Sequence, residues 1–260
     1  MNHWVSSHDL RERAWAFLEC TVQADIALVQ EAIPTGRGKA VVFREGGIHD
    51  ERVDPPRDLE WGSGVVSYGP AIRVVDHAWA RSDAAVPLLR SFPGTVAIAD
   101  VAGLVAISAY GVIDRGYADT TVHRILSDLT PLIDERKGRG IMLGGDLNIT
   151  TQWSVKHGGI HEEWLRRDRN LFERFEALRL HNLVVRSVPG PLPGCDCSGG
   201  DECRHVQTQR HEKSTFPWQN DYIFVSGDLL DRVARVDVLD RDDAWELSPH
   251  CPVVLELADS

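Results

Sequence analysis

A series of short apolar runs, each closed by a glycine, a proline or a charged residue, is the feature that most narrows the folds open to this chain. Residues 25–31, 40–43, 64–67, 95–100, 104–110, 140–143, 221–225 and 252–257 all have this form. Apolar runs of roughly four to eight residues between turn signals suit buried strands and are short for buried helices. Three longer stretches carry helical spacing instead. Residues 9–20 repeat Leu10, Ala14, Trp15, Phe17 and Leu18 on one face, and residues 118–137 form a second helix. Residues 161–180 set Trp164, Leu165, Leu171, Phe172, Phe175 and Leu178 on one side, with Arg166, Arg167, Arg169 and Arg174 largely on the other. Those arginines read as a solvated helix face. Strands outnumber helices and do not alternate with them one for one. We therefore expect an α/β sandwich of mixed sheets flanked by helices, not a barrel or a Rossmann fold.

Composition sets the outer bounds. With 260 residues, 43% of them hydrophobic, the chain can form one domain (residues 1–260) around a large core. The formal net charge of −11 argues against a dedicated duplex-binding protein, because basic residues that neutralise phosphates supply most non-specific affinity for nucleic acid. It leaves phosphate chemistry open, since a divalent cation can supply positive charge locally. No apolar run approaches the ~18 residues that span a bilayer. The opening residues carry neither the basic nor the apolar region of a signal peptide, so a cytoplasmic location is expected. The five cysteines are an odd number, and a cytoplasmic protein would keep them reduced.

The candidate chemistry sits at the ends of the strand-like runs. Gly144-Gly145-Asp146-Leu147-Asn148 follows Ile141-Met142-Leu143 directly. Glycines at a strand's end let the backbone turn tightly and present the next polar side chains at the sheet's edge. Asp146 is then placed as a general base or metal-facing carboxylate, and Asn148 as a hydrogen-bond donor to an anionic oxygen. An ordinary Asx turn would explain the same residues. Glu31 closes the first apolar run, where a carboxylate can serve as a hard ligand for Mg²⁺. Asp221 opens one later run and His250 precedes another. Brought together across neighbouring strands, they would form an oriented imidazole suited to acid–base work or phosphate stabilisation.

In order, Leu-Val-Gln-Glu31, Ser-Ala-Tyr110, Gly-Gly-Asp146-Leu-Asn148, Asn-Asp221-Tyr-Ile-Phe and Ser-Pro-His250-Cys-Pro-Val resemble the motifs of the endonuclease/exonuclease/phosphatase superfamily. That superfamily includes DNase I-like nucleases, abasic-site endonucleases, sphingomyelinases and inositol polyphosphate phosphatases, and the match runs from about residue 25 onward. The resemblance implies a four-layer sandwich, two packed mixed β-sheets flanked by helices, and a divalent metal, Mg²⁺ or Mn²⁺. It implies that Glu31 binds the metal, Tyr110 contacts the substrate phosphate or the attacking group, and Asp146 orients or deprotonates the attacking water. Asn148 would hydrogen-bond the phosphate, and Asp221 would orient His250 to stabilise charge on the pentavalent phosphorus.

Two places depart from that pattern. The family carries Ser-Asp-His before the last strand, with the Asp near the metal, and Pro249 stands in its place here. Family members also open with a strand ending in Trp-Asn, whereas this chain begins Met1-Asn2-His3-Trp4. We expect either that the start lies upstream or that this inner strand is missing, with Asn2 a candidate substitute for the absent Asn.

A Cys-rich insertion covers about residues 189–218. Cys195, Cys197, Cys203 and His205 offer three thiols and an imidazole in one loop, a set that could hold a structural zinc ion. A surface loop of reduced thiols is the alternative. Further along, Arg210 and His211, with Lys213 and His205, could form a cationic wall for a substrate phosphate or could be solvated loop charge.

The function expected from these features is divalent-metal-dependent hydrolysis of a phosphoester by in-line attack of water, in a nuclease or phosphodiesterase. The substrate would be a nucleic acid, a nucleotide or a small phosphorylated molecule, and no protein partner is indicated. A small-molecule or lipid phosphatase is the alternative within the class. A binding module on the same fold, without turnover, is the alternative outside it.

Overall fold

The computed structural model describes residues 7–37, 40–45, 61–79, 84–89, 91–154 and 159–258. In chain order the elements begin with α1 (His8–Ala16), β1 (Ile26–Ala32), β2 (Ala40–Glu45), β3 (Gly62–Ser67) and β4 (Ile72–Val74). The hairpin β5 (His77–Trp79) and β6 (Ala85–Pro87) comes next, followed by β7 (Val96–Val101), β8 (Leu104–Ala109), α2 (Asp119–Glu135) and β9 (Ile141–Asp146). After α3 (Gly159–Ala177) come β10 (Leu180–Asn182), β11 (Gln209–His211), β12 (Ser214–Trp218) and β13 (Asp221–Ser226). The chain then runs through β14 (Val233–Val238), α4 (Asp242–Trp245) and β15 (Val253–Leu257).

Two principal sheets organise these strands. One is antiparallel, in the order β1-β3-β2; the other is mixed, in the order β10-β13-β9-β8-β7-β4, with β8 and β9 parallel. The two-residue period of a strand sends alternate side chains to opposite faces, and the packing follows it. On β1, Ile26 and Leu28 face the second sheet, while Ala27 and Val29 pack against Trp15 and Leu18. On β7 and β8, Ala97, Ala99 and Ala106 face the first sheet. Ile98, Val105 and Ile107 turn the other way, into a core shared with Val122, Ile125, Leu126 and Leu129 of α2 and Leu171 and Phe175 of α3. The result is four layers: α1, the three-stranded sheet, the six-stranded sheet, and the α2–α3 pair. Small residues between the sheets let them approach closely, and larger ones fill the space beneath the helices. Phe175 stacks on Phe224 with ring centroids 3.8 Å apart.

The expected strands all coincide with observed ones, and the expected sandwich forms. The helix expected over residues 9–20 is two pieces: α1 widens into a π-helical turn at Phe17–Val22 that stops at Gln23 in a left-handed conformation, φ 56°. The arginines of α3 are not a purely solvated face. Arg167 pairs with Asp119 of α2 at 2.9 Å and lies over the Tyr117 ring, and Arg174 donates to the His123 carbonyl at 2.6 Å. None of the helices in the described residues is long and apolar enough to cross a membrane.

One gap bears on the site. Among the described residues β1 pairs only with β3, and β15 only with β14. A cavity of about 680 Å³ is lined by both strands, including Leu28, Val29, Val253 and Leu255, and by His250. No described strand precedes β1, and Asn2 lies outside the described residues.

Candidate active site

The site grows from the centre of the six-stranded sheet. β9 lies between β8 and β13, and the antiparallel register sets Asp146 directly opposite Asp221. Like charges facing each other across paired strands are destabilising unless something lies between them. His250 does. The isolated bridge between Gln209 and His250 brings the loop before β15 alongside. His250 Nδ1 lies 2.9 Å from Asp221 Oδ2, and Nε2 lies 3.8 Å from Asp146 Oδ2. A carboxylate can only accept, so Nδ1 carries a proton and the other ring nitrogen is turned toward Asp146. Burial opposes the imidazolium, but the charges of Asp221 and Asp146 outweigh it and raise His250 to about 9. Burial pushes Asp146 up to about 7; His250 works against that rise, while Asp221 and Glu31 add to it.

Asn148 closes the other side of Asp146. Its backbone N–H donates to Asp146 Oδ1 at 3.1 Å, and its amide donates to the Gly111 carbonyl at 3.0 Å and to Asp146 Oδ2 at 3.3 Å. Asn148 has φ 50°, a left-handed conformation that asparagine tolerates better than most residues. Gly145 and Gly111 make the approach of these loops possible. A Cβ on Gly145 would lie 1.8 Å from the Ala109 carbonyl oxygen, and one on Gly111 would lie 2.0 Å from that of Leu147.

Tyr110 donates its hydroxyl to Glu31 Oε1 at 2.7 Å and meets Trp61 in a T-shaped contact, centroids 5.5 Å apart. Burial, with the charges of Glu31 and Asp146, drives its phenol far above the ordinary range, so it stays a neutral donor. Glu31 sits where the β1–β3 register shifts between Val29 and Ala32, with φ 48°. A left-handed glutamate costs about 1–2 kcal/mol, and such strain persists only where surrounding contacts fix it. Neighbouring contacts do so: Gln30 donates to Ser108 Oγ at 2.9 Å, and Ser108 donates to the Val29 carbonyl at 2.8 Å.

The donor set fits a hard divalent cation. Asp146, Asp221 and His250 bring one ligand atom each within 4.8 Å of the others, and Glu31, held by the Tyr110 hydroxyl, adds a further carboxylate. Burial first, and then the like charges of Asp221 and Glu31, raise Asp146, a rise that a cation would relieve. Pro249 supplies no side-chain ligand; its carbonyl instead accepts the Arg210 N–H at 2.8 Å and holds the His250 loop to β11. The other expected cations lie elsewhere. The Arg210 guanidinium is held by Asp240 at 3.0 Å and stacks on Trp245, and His211 is exposed on the β11–β12 hairpin, its Nδ1 accepting from Lys213 N. Cys195, Cys197, Cys203 and His205 converge in a separate cluster.

Sequence reasoning missed a buried polar network beneath the site. The fully buried Thr208 hydroxyl accepts the N–H groups of both Asn220 and Asp221 at 3.1 Å, and its carbonyl accepts the N–H of Cys251 at 3.0 Å. One residue thereby fixes the approach to Asp221 and the exit from His250. Gln152 Oε1 accepts from Gln219 N at 2.7 Å and from Thr150 Oγ1 at 3.0 Å, tying the loop after Asn148 to the loop before Asp221. Asp168 of α3 accepts from Thr150 N at 3.0 Å and Trp153 Nε1 at 3.1 Å. Apart from Asp168 on α3, these residues lie in aperiodic loops, and only tertiary packing buries them.

No family model matches the sequence, and no curated protein does either. Solved structures do. The 3′-5′ exonuclease NExo from Neisseria meningitidis superposes with a TM-score of 0.61 at 18% identity, covering 97% of this chain and 96% of that one. The endonuclease domain of TRAS1, a telomere-specific non-LTR retrotransposon, gives 0.59 at 18% identity over 95% and 92% of the two chains. An AP endonuclease from Archaeoglobus fulgidus gives 0.59 at 16% identity over 92% and 91%. The chain thus has the DNase I-like fold of the endonuclease/exonuclease/phosphatase proteins, as its ordered motifs led us to expect.

Proposed function

We propose that this protein is a divalent-metal-dependent phosphoester hydrolase acting on phosphodiesters of the nucleic-acid or nucleotide type. The observation that carries the reading is the buried array Asp221–His250–Asp146, with Asn148 on one flank and the Tyr110–Glu31 pair on the other. In-line attack of water on phosphorus needs a positioned proton acceptor and stabilisation of negative charge developing on the phosphoryl oxygens. Asp146 is the acceptor, its carboxylate set by the two N–H donors of Asn148. His250, held by Asp221, presents a protonated ring to the developing charge, in a buried setting where such a group is worth more than in water. The Tyr110 hydroxyl and the Asn148 amide, which donate to Glu31 and to Gly111 and Asp146 without substrate, would turn to the phosphate as neutral donors. Glu31 would hold the divalent ion, which supplies Lewis-acid polarisation and charge neutralisation when bound. The choice of phosphodiester follows the nucleases that share the fold, a warrant by analogy, since a fold by itself does not fix a substrate.

A metal-by-substrate panel tests the reading. It would cover single- and double-stranded DNA, bis-p-nitrophenyl phosphate, nucleotides and inositol phosphates, each with Mg²⁺, Mn²⁺ or chelator. We expect metal-dependent turnover of diesters that falls by about 10²–10⁴-fold in Asp146→Ala while the circular dichroism spectrum is retained. Turnover indifferent to the chelator or to Asp146→Ala would overturn it. A folded protein with no turnover across the panel would mark the site as a binding module, a reading favoured by the absence of a side-chain ligand at Pro249.

A further inference from the structure

The loop between β10 and β11 gathers four soft ligands at a place separate from the carboxylate centre. One ligand atom from each of Cys195, Cys197, Cys203 and His205 lies within 4.8 Å of the other three. His205 Nδ1 is 3.4 Å from Cys203 Sγ and 3.7 Å from Cys195 Sγ, and those two sulfurs are 4.0 Å apart. A tetrahedral zinc with Zn–S of about 2.3 Å and Zn–N of about 2.0–2.1 Å requires S···S of about 3.8 Å and S···N of about 3.6 Å. Cys197 Sγ lies within 4.8 Å of the other three ligand atoms, and the three observed separations match edges of that polyhedron. They do not match a disulfide, whose sulfurs are about 2.05 Å apart, and all five cysteines are free thiols.

A second observation points the same way. The far ring nitrogen of His205, Nε2, lies 2.8 Å from Thr151 Oγ1. With Nε2–H donated to that hydroxyl, the Nδ1 lone pair is left facing the sulfurs. Metal-binding histidines are typically oriented by such an outer hydrogen bond. Cys203 is buried, and the Gln152 amide donates to Cys195 Sγ at 3.6 Å, as it would to a thiolate. We infer that Cys195, Cys197, Cys203 and His205 form a closed structural zinc site. Three thiolates and one neutral imidazole are a soft set that selects zinc over magnesium, and four protein ligands leave no position open for substrate.

The site also has a mechanical consequence. Thr151 and Gln152 belong to the loop that follows Asn148, and Gln152 also receives the N–H of Gln219, two residues before Asp221. Zinc in the cluster therefore braces the two loops that deliver Asp146–Asn148 and Asp221. It is a positioning site, distinct in chemistry and place from the hard-cation site at Glu31.

The test reads metal, not turnover, so it stands whether or not the hydrolase reading survives. The full chain, expressed in zinc-supplemented medium and purified in metal-free reducing buffer, should retain one equivalent of zinc by elemental analysis. X-ray absorption should show three sulfurs at about 2.3 Å and one nitrogen at about 2.0–2.1 Å. Replacement with Co²⁺ should give thiolate charge-transfer and strong tetrahedral d–d absorption. Cys203→Ser and His205→Ala should each lose the bound equivalent. Because those variants can also unfold, the wild-type protein decides the matter. Substoichiometric zinc in the folded wild type, or a disulfide within the cluster by mass spectrometry, would overturn the inference.

Discussion

At the scale of single residues, the site is a contest between two carboxylates moderated by one ring. In the metal-free protein, the effect of this contest on stability can be followed with pH. His250 is raised from 6.5 to about 9 on folding. Its contribution is fully present below pH 6.5 and is lost as pH climbs through 9. Asp146 is raised from 3.8 to about 7, so its unfavourable contribution is absent below 3.8 and fully developed above 7. Both slopes run downward with pH, and the stretch between about 7 and 9 belongs to His250. With chelator present, the Tm of the wild type should exceed that of His250→Gln by most near pH 6.5, and the two should converge toward pH 9. A constant offset would show that the ring acts by packing alone. Asp146, Asp221 and His250 could be read from the sequence because each borders an apolar run. Thr208 could not, because nothing in its neighbourhood distinguishes a threonine buried under two backbone donors from one in solvent.

At the scale of elements, the strand ends matter more than the strands. β9 carries a glycine just before its last residue because the neighbouring β8 terminus leaves no room for a side chain, with the Ala109 carbonyl 1.8 Å from where a Gly145 Cβ would stand. Gly145→Ala should therefore cost about 3 kcal/mol, toward the upper end for overpacking, read from the urea midpoint at unchanged m-value. A loss under roughly 0.5 kcal/mol, the range of an ordinary surface substitution, would mean that β8 and β9 yield easily there. The apolar run closes the expected strand at Leu143, with the glycines turning the backbone, whereas β9 runs on through both glycines to Asp146; the atom that requires a glycine lies on another strand. The three-residue strands β4, β5, β6, β10 and β11 are too short for a two-residue period to register in sequence. β14 was hidden for another cause: Arg235 and Asp237 interrupt its apolar side chains, and Arg235 pairs with Asp237 and with Glu256 on β15.

For the molecule as a whole, the spacing of the two sheets is set by alanines. Ala97, Ala99 and Ala106 are fully buried between them. Ala106→Leu should drive the sheets apart at a cost of about 2 kcal/mol, or roughly 4–8 °C in Tm for a chain of this size. A rise in Tm would indicate unfilled space between the layers. The layered architecture was legible because apolar runs and amphipathic stretches fix faces, whereas the polar network joining the loops was not, because it obeys no period. The order of synthesis gives the arrangement one more meaning. Asp146 and Asp221 become strand partners as soon as β13 can dock on β9, yet the imidazole that separates them stands 29 residues beyond Asp221. A nascent chain that has released β13 but still holds His250 inside the ribosome carries two opposed carboxylates without that ring between them. The middle of its sheet is then at its weakest, and the Asp221–His250–Asp146 array cannot form until His250 has emerged as well.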